Sequence, residues 1–355
     1  MKRREFIAKG AAGALGMMLA GCSSKKTPEQ VELYKELTPF STDVTVTKPA
    51  GGSMPMGEIG KTGIKVSKFG FGSHMRKDIV KFVDERQKMI REAYDLGVRL
   101  FDVYDKEQEC FQYEPMGKHL APMIKDVVIS IAIQPYDGRN FEQEFERDLK
   151  MFGRDYIDMV RIHAHNQQHE HWPYWEKLFR YKEKGYIRAV GVPIHDPEQL
   201  DLLIETYPLD YVVFPYNFYH NIGWLEERPD DFDSLPEKLR KRGIGVVSMK
   251  PFAGDYLVIP FKKIARNFPE YKDISYTQAA LRYVINSGMN PDTTLTGMFN
   301  LDHVYENIAA YFNPNLSDQE REMLNNLKGI AKISAQTWLP EHYKWLENWA
   351  PKNFA

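Results

Sequence analysis

The sequence predicts an α/β fold, a (β/α)8 TIM barrel with an N-terminal β-hairpin cap, and three observations predict it. From about residue 57, eight short apolar runs alternate with amphipathic stretches, the pattern of repeated βαβ units. The alternation lasts about 250 residues, the usual span of one closed barrel. No Gly-x-Gly-x-x-Gly follows the first run, as a doubly wound dinucleotide fold would require. A composition 43% hydrophobic and 13% aromatic supplies enough apolar surface for so large a core.

The elements follow in order. Glu58 to Val66, turning at Gly60-Lys61-Thr62-Gly63, reads as a hairpin capping the base. Strands are expected at Lys68–Ser73, Leu100–Tyr104, Val127–Ile133, Ile157–Ala164, Ile187–Ile194, Tyr211–Asn217, Gly245–Pro251 and Thr293–Met298. Helices are expected at Glu85–Leu96, Phe141–Phe152, Tyr174–Lys184, Pro197–Thr206, Pro236–Arg242, Tyr276–Asn286 and Leu301–Tyr311. The barrel domain is bounded at 57–330, with a C-terminal extension over 331–355.

The first 22 residues read as an address. Paired arginines, Arg3-Arg4, precede Phe6 and Lys9, the pattern of a twin-arginine signal. A short apolar stretch from Ala11 to Ala20 follows and ends in Leu19-Ala20-Gly21-Cys22, a lipobox-like site whose cleavage leaves the Cys22 thiol to carry lipid. Residues 23–56, rich in Lys, Thr, Pro, Gly and Ser, then serve as a flexible tether. These features predict export by the twin-arginine route and a lipid anchor in the periplasm or cell envelope. That route carries folded proteins, which suits a chain with a cofactor already loaded.

Charge narrows the partners. With 47 basic and 49 acidic residues the net charge is −2, and no long charge run appears, so nucleic acid and polyanions are not expected partners. Two cysteines are too few for a disulfide framework.

Six motifs occur in order between residues 57 and 325: GEIGKTGIKVSKFGFGS from Gly57 to Ser73, GVRLFD ending at Asp102, DYIDMVRIH ending at His163, GYIRAVGV from Gly185, Pro215-Tyr216-Asn217, and Glu306-Asn307. Together they resemble the aldo-keto reductases in sequence and spacing. The resemblance implies a barrel with its site at the C-terminal rim. It also implies an Asp, Tyr, Lys and His tetrad, in which the tyrosine protonates a carbonyl while a nicotinamide gives hydride. A phenol with an unperturbed pKa near 10 needs neighbouring charges to do this at neutral pH.

Residue by residue the match is uneven. Asp102 takes the family aspartate's place and His163 the histidine's. The tyrosine's place, five residues after the aspartate, holds Glu107, and Tyr104 and Tyr113 bracket the gap. The lysine's place holds Ala132. Arg161 stands two residues before His163, hence on the same strand face, in a layer where an apolar side chain is expected. An arginine inside a barrel calls for a carboxylate, which suggests an Asp102–Arg161 pair, the alternatives being that Arg161 snorkels or pairs with another acid.

The resemblance also implies cofactor positions, and these are altered. Pro193-Ile194 replaces the Ser-Asn that grips the nicotinamide carboxamide. Met249 stands where an aromatic ring stacks, and Lys250 where a small hydroxyl holds pyrophosphate. Gly297 and Met298 lead to Glu306 and Asn307, the adenine-contacting positions, with Met298 and His303 in place of the cations that clamp a 2′-phosphate. NAD or NADP is the implied cofactor, without a visible 2′-phosphate clamp.

Seven of the ten histidines, His74, His163, His165, His169, His171, His195 and His220, fall beyond strand ends, near the aromatics Trp172, Tyr174, Trp175, Tyr216, Tyr219 and Trp224. Such a mouth suits a polar, sugar-like ring, and His163-x-His165 has the spacing of a zinc pair. The expected function is therefore an oxidoreductase acting on a carbonyl or hydroxyl of a small polar, carbohydrate-like molecule. The lost Lys, Tyr and Ser-Asn positions keep open a barrel that only binds ligand, and the histidines keep open metal-dependent chemistry.

Overall fold

A computed structural model describes residues 45–72, 83–104, 113–133, 140–162, 172–194, 197–218, 235–252 and 268–327. The expected leader, most of the expected tether and the C-terminal extension lie outside the described residues, as do all seven histidines expected at the mouth. No helix among the described residues is long and apolar enough to cross a membrane.

The chain opens with an antiparallel pair, β1 (Met56–Glu58) and β2 (Lys65–Ser67), joined by the expected turn. Eight parallel strands then close into a barrel: β3 (Phe69–Gly72), β4 (Leu100–Tyr104), β5 (Val128–Ile133), β6 (Ile157–Ile162), β7 (Ile187–Pro193), β8 (Tyr211–Pro215), β9 (Gly245–Met249) and β10 (Thr293–Gly297). Each hydrogen-bonds its sequence neighbours, and β10 returns to β3. The helices are α1 (Val83–Asp95), α2 (Tyr113–Leu120), α3 (Phe141–Phe152), α4 (Trp172–Glu183), α5 (Pro197–Thr206), α6 (Leu235–Lys241), α7 (Tyr276–Ile285) and α8 (Leu301–Phe312).

Strand parity divides the core in two. Alternate strand residues such as Phe101, Ile129, Ile131, Val160, Val190 and Val212 face the helices in the larger apolar cluster. Leu100, Val128, Met159, Ala189, Tyr211, Val213, Val247 and Leu295 fill the barrel interior. Ile59, Ile64 and Val66 of the hairpin plug its base. Asp292, just before β10, fastens that plug by accepting the Gly60 and Val246 amides at 3.0 and 2.9 Å.

One helix departs from expectation. Tyr113–Leu120 contains Pro115 and Gly117, which lower helix propensity and hid it from pattern reading. Proline in a first turn loses no intrahelical bond. Gly117 is required by packing, since a β-carbon there would lie 2.1 Å from the Met151 carbonyl oxygen on α3.

Two aromatics expected at the rim are core residues instead. Trp175 is fully buried and stacks on Tyr207 at 4.8 Å, because α4 turns this side toward the strands. Tyr216 is buried and stacks on Tyr283 at 6.4 Å. Neither offers a sugar-stacking surface.

Candidate active site

The inward residues near the C-terminal ends of β4, β5 and β6 set the site. Interior parity runs Leu100, Asp102 on β4, Val128, Ser130, Ala132 on β5 and Met159, Arg161 on β6. Asp102 is in register with Ser130, and Ala132 with Arg161, so three adjacent strands bring these side chains into one layer. Above an otherwise apolar interior, this layer is polar and buried.

Its centre is a forked ion pair. Arg161 Nη1 donates to Asp102 Oδ1 at 2.5 Å and Nη2 to Asp102 Oδ2 at 2.9 Å. Ser130 joins both partners: its hydroxyl donates to Asp102 Oδ1 at 2.7 Å and accepts from Arg161 Nη1 at 3.0 Å. The pair suggested by sequence is thus formed, with both side chains less than a tenth exposed. Two charges taken so far out of water persist only in such full mutual satisfaction.

Ala132 on β5 is in register with Arg161 on β6. Arg161 sits beside it on the next strand and supplies a cation where β5 has none. A guanidinium, unlike an ammonium, grips both carboxylate oxygens at once.

The other residues expected at the site stand nearby in the chain. Tyr104 ends β4, its backbone in register with Ala132, and Tyr113 opens α2. His163 lies outside the described residues, one position beyond the end of β6.

Two residues of the polar layer were missed by sequence reasoning. Ser130 stands two residues before Ala132, and Tyr211 two before the interior Val213. The signal was available in the parity of each strand, which places a polar side chain inward at both positions.

The positions expected to hold a cofactor lie along β9, β10 and α8. Met249 is half-buried against the interior cluster at the mouth. Lys250 follows it with a left-handed backbone, φ 56°, and its carbonyl accepts from Asn217 Nδ2 at 3.1 Å. Close packing pushes the Lys250 ammonium down to about 7, although its surface is only half-buried. Gly297 is exposed at the end of β10, whereas the Met298 side chain is buried in the helix-facing core, leaving its backbone for any ligand contact.

On α8, Glu306 accepts from Ser275, the hydroxyl that also caps α7, at 2.7 Å. It thereby ties α7 to α8. Asn307 is buried too, and its Oδ1 has no hydrogen-bond partner. An orphaned buried acceptor is costly unless something donates to it, and a purine amine is the right kind of donor. His303 is engaged locally, its backbone N–H on Asn300 Oδ1 at 2.8 Å. The adenine end therefore fits a dinucleotide. At the nicotinamide end, Pro193 offers no amide donor and Ile194 is buried among the helix-facing apolar residues.

A model of the Aldo/keto reductase family matches residues 70–328. The chain belongs to the aldo-keto reductase family. L-galactose dehydrogenase of Arabidopsis thaliana is 26% identical over 317 residues, covering 79% of this chain and 95% of that protein. Methylglyoxal reductase DkgA of Yersinia pestis is 30% identical over 132 residues, 35% of this chain and 46% of its own length. Among solved structures, the aldo-keto reductase AKR11C1 from Bacillus halodurans, in its holo form, superposes with a TM-score of 0.60 at 19% identity. That match covers 77% of this chain and 96% of the other. Within this aldo-keto reductase, then, Asp102 on β4 is paired with a cation from β6, while β5 offers none.

Proposed function

We propose that this aldo-keto reductase moves hydride between a nicotinamide dinucleotide and the carbonyl or hydroxyl carbon of a small, polar, sugar-like molecule. The observation that carries the reading is the Asp102–Arg161 fork with its Ser130 bridge, a rigid charged floor in the interior of a family barrel. The relatives' names, L-galactose dehydrogenase and methylglyoxal reductase, point to small oxygenated substrates.

When bound, the nicotinamide supplies or accepts hydride; the rest is the work of the chain. Arg161 cannot release a proton at physiological pH, so it serves as a fixed charge rather than a shuttle. Its two-pronged grip holds the Asp102 carboxylate in place, giving the mouth above it a preorganised field without reorganisation during reaction. The proton at the substrate oxygen is assigned to Tyr104 or Tyr113, and His163, two residues after Arg161, orients that oxygen. Lys250, Gly297 and Asn307 hold the dinucleotide: a cation for phosphate, an exposed backbone, and an orphan acceptor for adenine. The missing cations at Met298 and His303 favour NAD over NADP.

The reading extends to the leader: the twin-arginine stretch exports the folded, loaded barrel and lipid on Cys22 tethers it. Arg3→Lys/Arg4→Lys should retain the protein in the cytoplasm, and Cys22→Ala should release it from membranes; unchanged fractionation of both variants contradicts this part.

The test of activity is direct. The protein is mixed with NADH or NADPH and methylglyoxal, or with NAD and L-galactose, and nicotinamide absorbance is followed. Turnover that is lost in Asp102→Asn and in one of Tyr104→Phe and Tyr113→Phe is expected. Turnover indifferent to Asp102 overturns the site.

A further inference from the structure

Tyr211 opens β8 with its side chain inside the barrel, fully buried. Its seat is made by a missing side chain. Gly191 on β7 is in register with Arg161 on one side and Tyr211 on the other. A β-carbon at 191 would stand 2.4 Å from Tyr211 Cζ and 2.5 Å from both Cε atoms. The ring therefore lies across the bare Gly191 backbone toward β6.

There the phenol comes close enough to Ser130 and Arg161 for polar interaction and feels the Asp102 charge, although its hydroxyl is not ideally aligned with any of them. Burial pushes this phenol well above its ordinary range, so it stays a neutral hydroxyl at physiological pH. Were this only a packing position, phenylalanine would fill it without burying a hydroxyl beside an ion pair. A tyrosine seated on a glycine, beside the forked pair of the interior layer, does something that phenylalanine would not.

We infer that Tyr211 is a positioning residue of the active site, which acts through Arg161. Its ring, seated on Gly191, blocks the guanidinium from swinging toward β8, and its hydroxyl dipole biases the fork onto Asp102. The catalytic consequence rests on the function proposed above; the mechanical claim does not.

The test uses four full-length chains, wild type, Tyr211→Phe, Arg161→Lys and the double variant, together with Gly191→Ala. Steady-state reduction of methylglyoxal by NADH gives kcat and KM, and urea unfolding gives stability. Tyr211→Phe is expected to lower kcat about tenfold, as small misplacement of a catalytic group does, with KM within about twofold. Its urea midpoint should change little, since phenylalanine keeps the ring and its seat on Gly191. Gly191→Ala, which displaces the ring, should lower kcat at least as far. In the Arg161→Lys background the Tyr211→Phe effect on kcat should vanish, because its lever is already lost. Equal effects in both backgrounds overturn the inference, as does an unchanged kcat in both Tyr211→Phe and Gly191→Ala. If the wild type reduces no carbonyl, the function proposed above fails, and the urea midpoints of the same four chains still decide the mechanical claim. A Tyr211→Phe midpoint shift that differs between backgrounds supports it, and an identical shift overturns it.

Discussion

Replacing Arg161 by methionine is the most informative single change in the barrel. Methionine keeps the length of the stem but removes both donors to Asp102, at 2.5 and 2.9 Å. The carboxylate would then keep only the Ser130 hydroxyl, in a site where its side chain is 8% exposed. Breaking a buried pair by removing one partner costs about 3–5 kcal/mol, because the remaining charge is neither solvated nor matched. With a urea dependence of about 3 kcal/mol per molar, the unfolding midpoint should fall by roughly 1–2 M. The six tryptophans provide the fluorescence signal. The companion Asp102→Asn/Arg161→Met removes both charges, leaves an acceptor for Ser130, and should regain stability to within about 1 kcal/mol of wild type. An Arg161→Met midpoint within about 0.3 M of wild type, a change under about 1 kcal/mol at that slope, would refute the fork as a buried, mutually dependent pair.

Other outcomes follow from the same geometry. Because Ala132 and Arg161 are register partners, Ala132→Lys in the Arg161→Met background should restore a cation beside Asp102 and recover about half or more of the lost stability, read again in urea. Burial raises the Asp292 carboxyl above its ordinary value, so protonation favours the folded state: its contribution is present in acid and lost as pH rises through the raised pKa. Melting temperatures should therefore show Asp292→Asn gaining on the wild type as pH rises out of the carboxylate range; a constant gap contradicts this. Lys250 titrates near 7 in the folded chain against 10.5 when unperturbed, so the unfolded chain binds more protons between those values and stability rises with pH there. In Lys250→Met this rise should flatten.

The barrel was legible because its strands are short, apolar and evenly spaced, and the eight expected runs became eight strands within a residue or two at most ends. The helix Tyr113–Leu120 was not, since Pro115 and Gly117 serve the first turn and a tertiary contact that local pattern does not display. In the site, the parity of β6 exposed Arg161 as an inward charge, and the empty place at Ala132 called for its partner. Ser130 and Tyr211 escaped because a serine and a tyrosine in apolar strands read as ordinary content until the register shows what they face. Trp175 and Tyr216 were misplaced at the rim for the converse reason: proximity to a strand end in sequence does not say which way a ring turns.

The central claim is that hydride passes between nicotinamide and a small carbonyl substrate above the Asp102–Arg161 floor. It is tested most directly by incubating the protein with methylglyoxal and NADH carrying deuterium at the transferable position, then weighing the alcohol formed. One deuterium on the former carbonyl carbon in wild type, and no product from Asp102→Asn, is the result required. Unlabelled product, or labelled product formed equally well by Asp102→Asn, would contradict it.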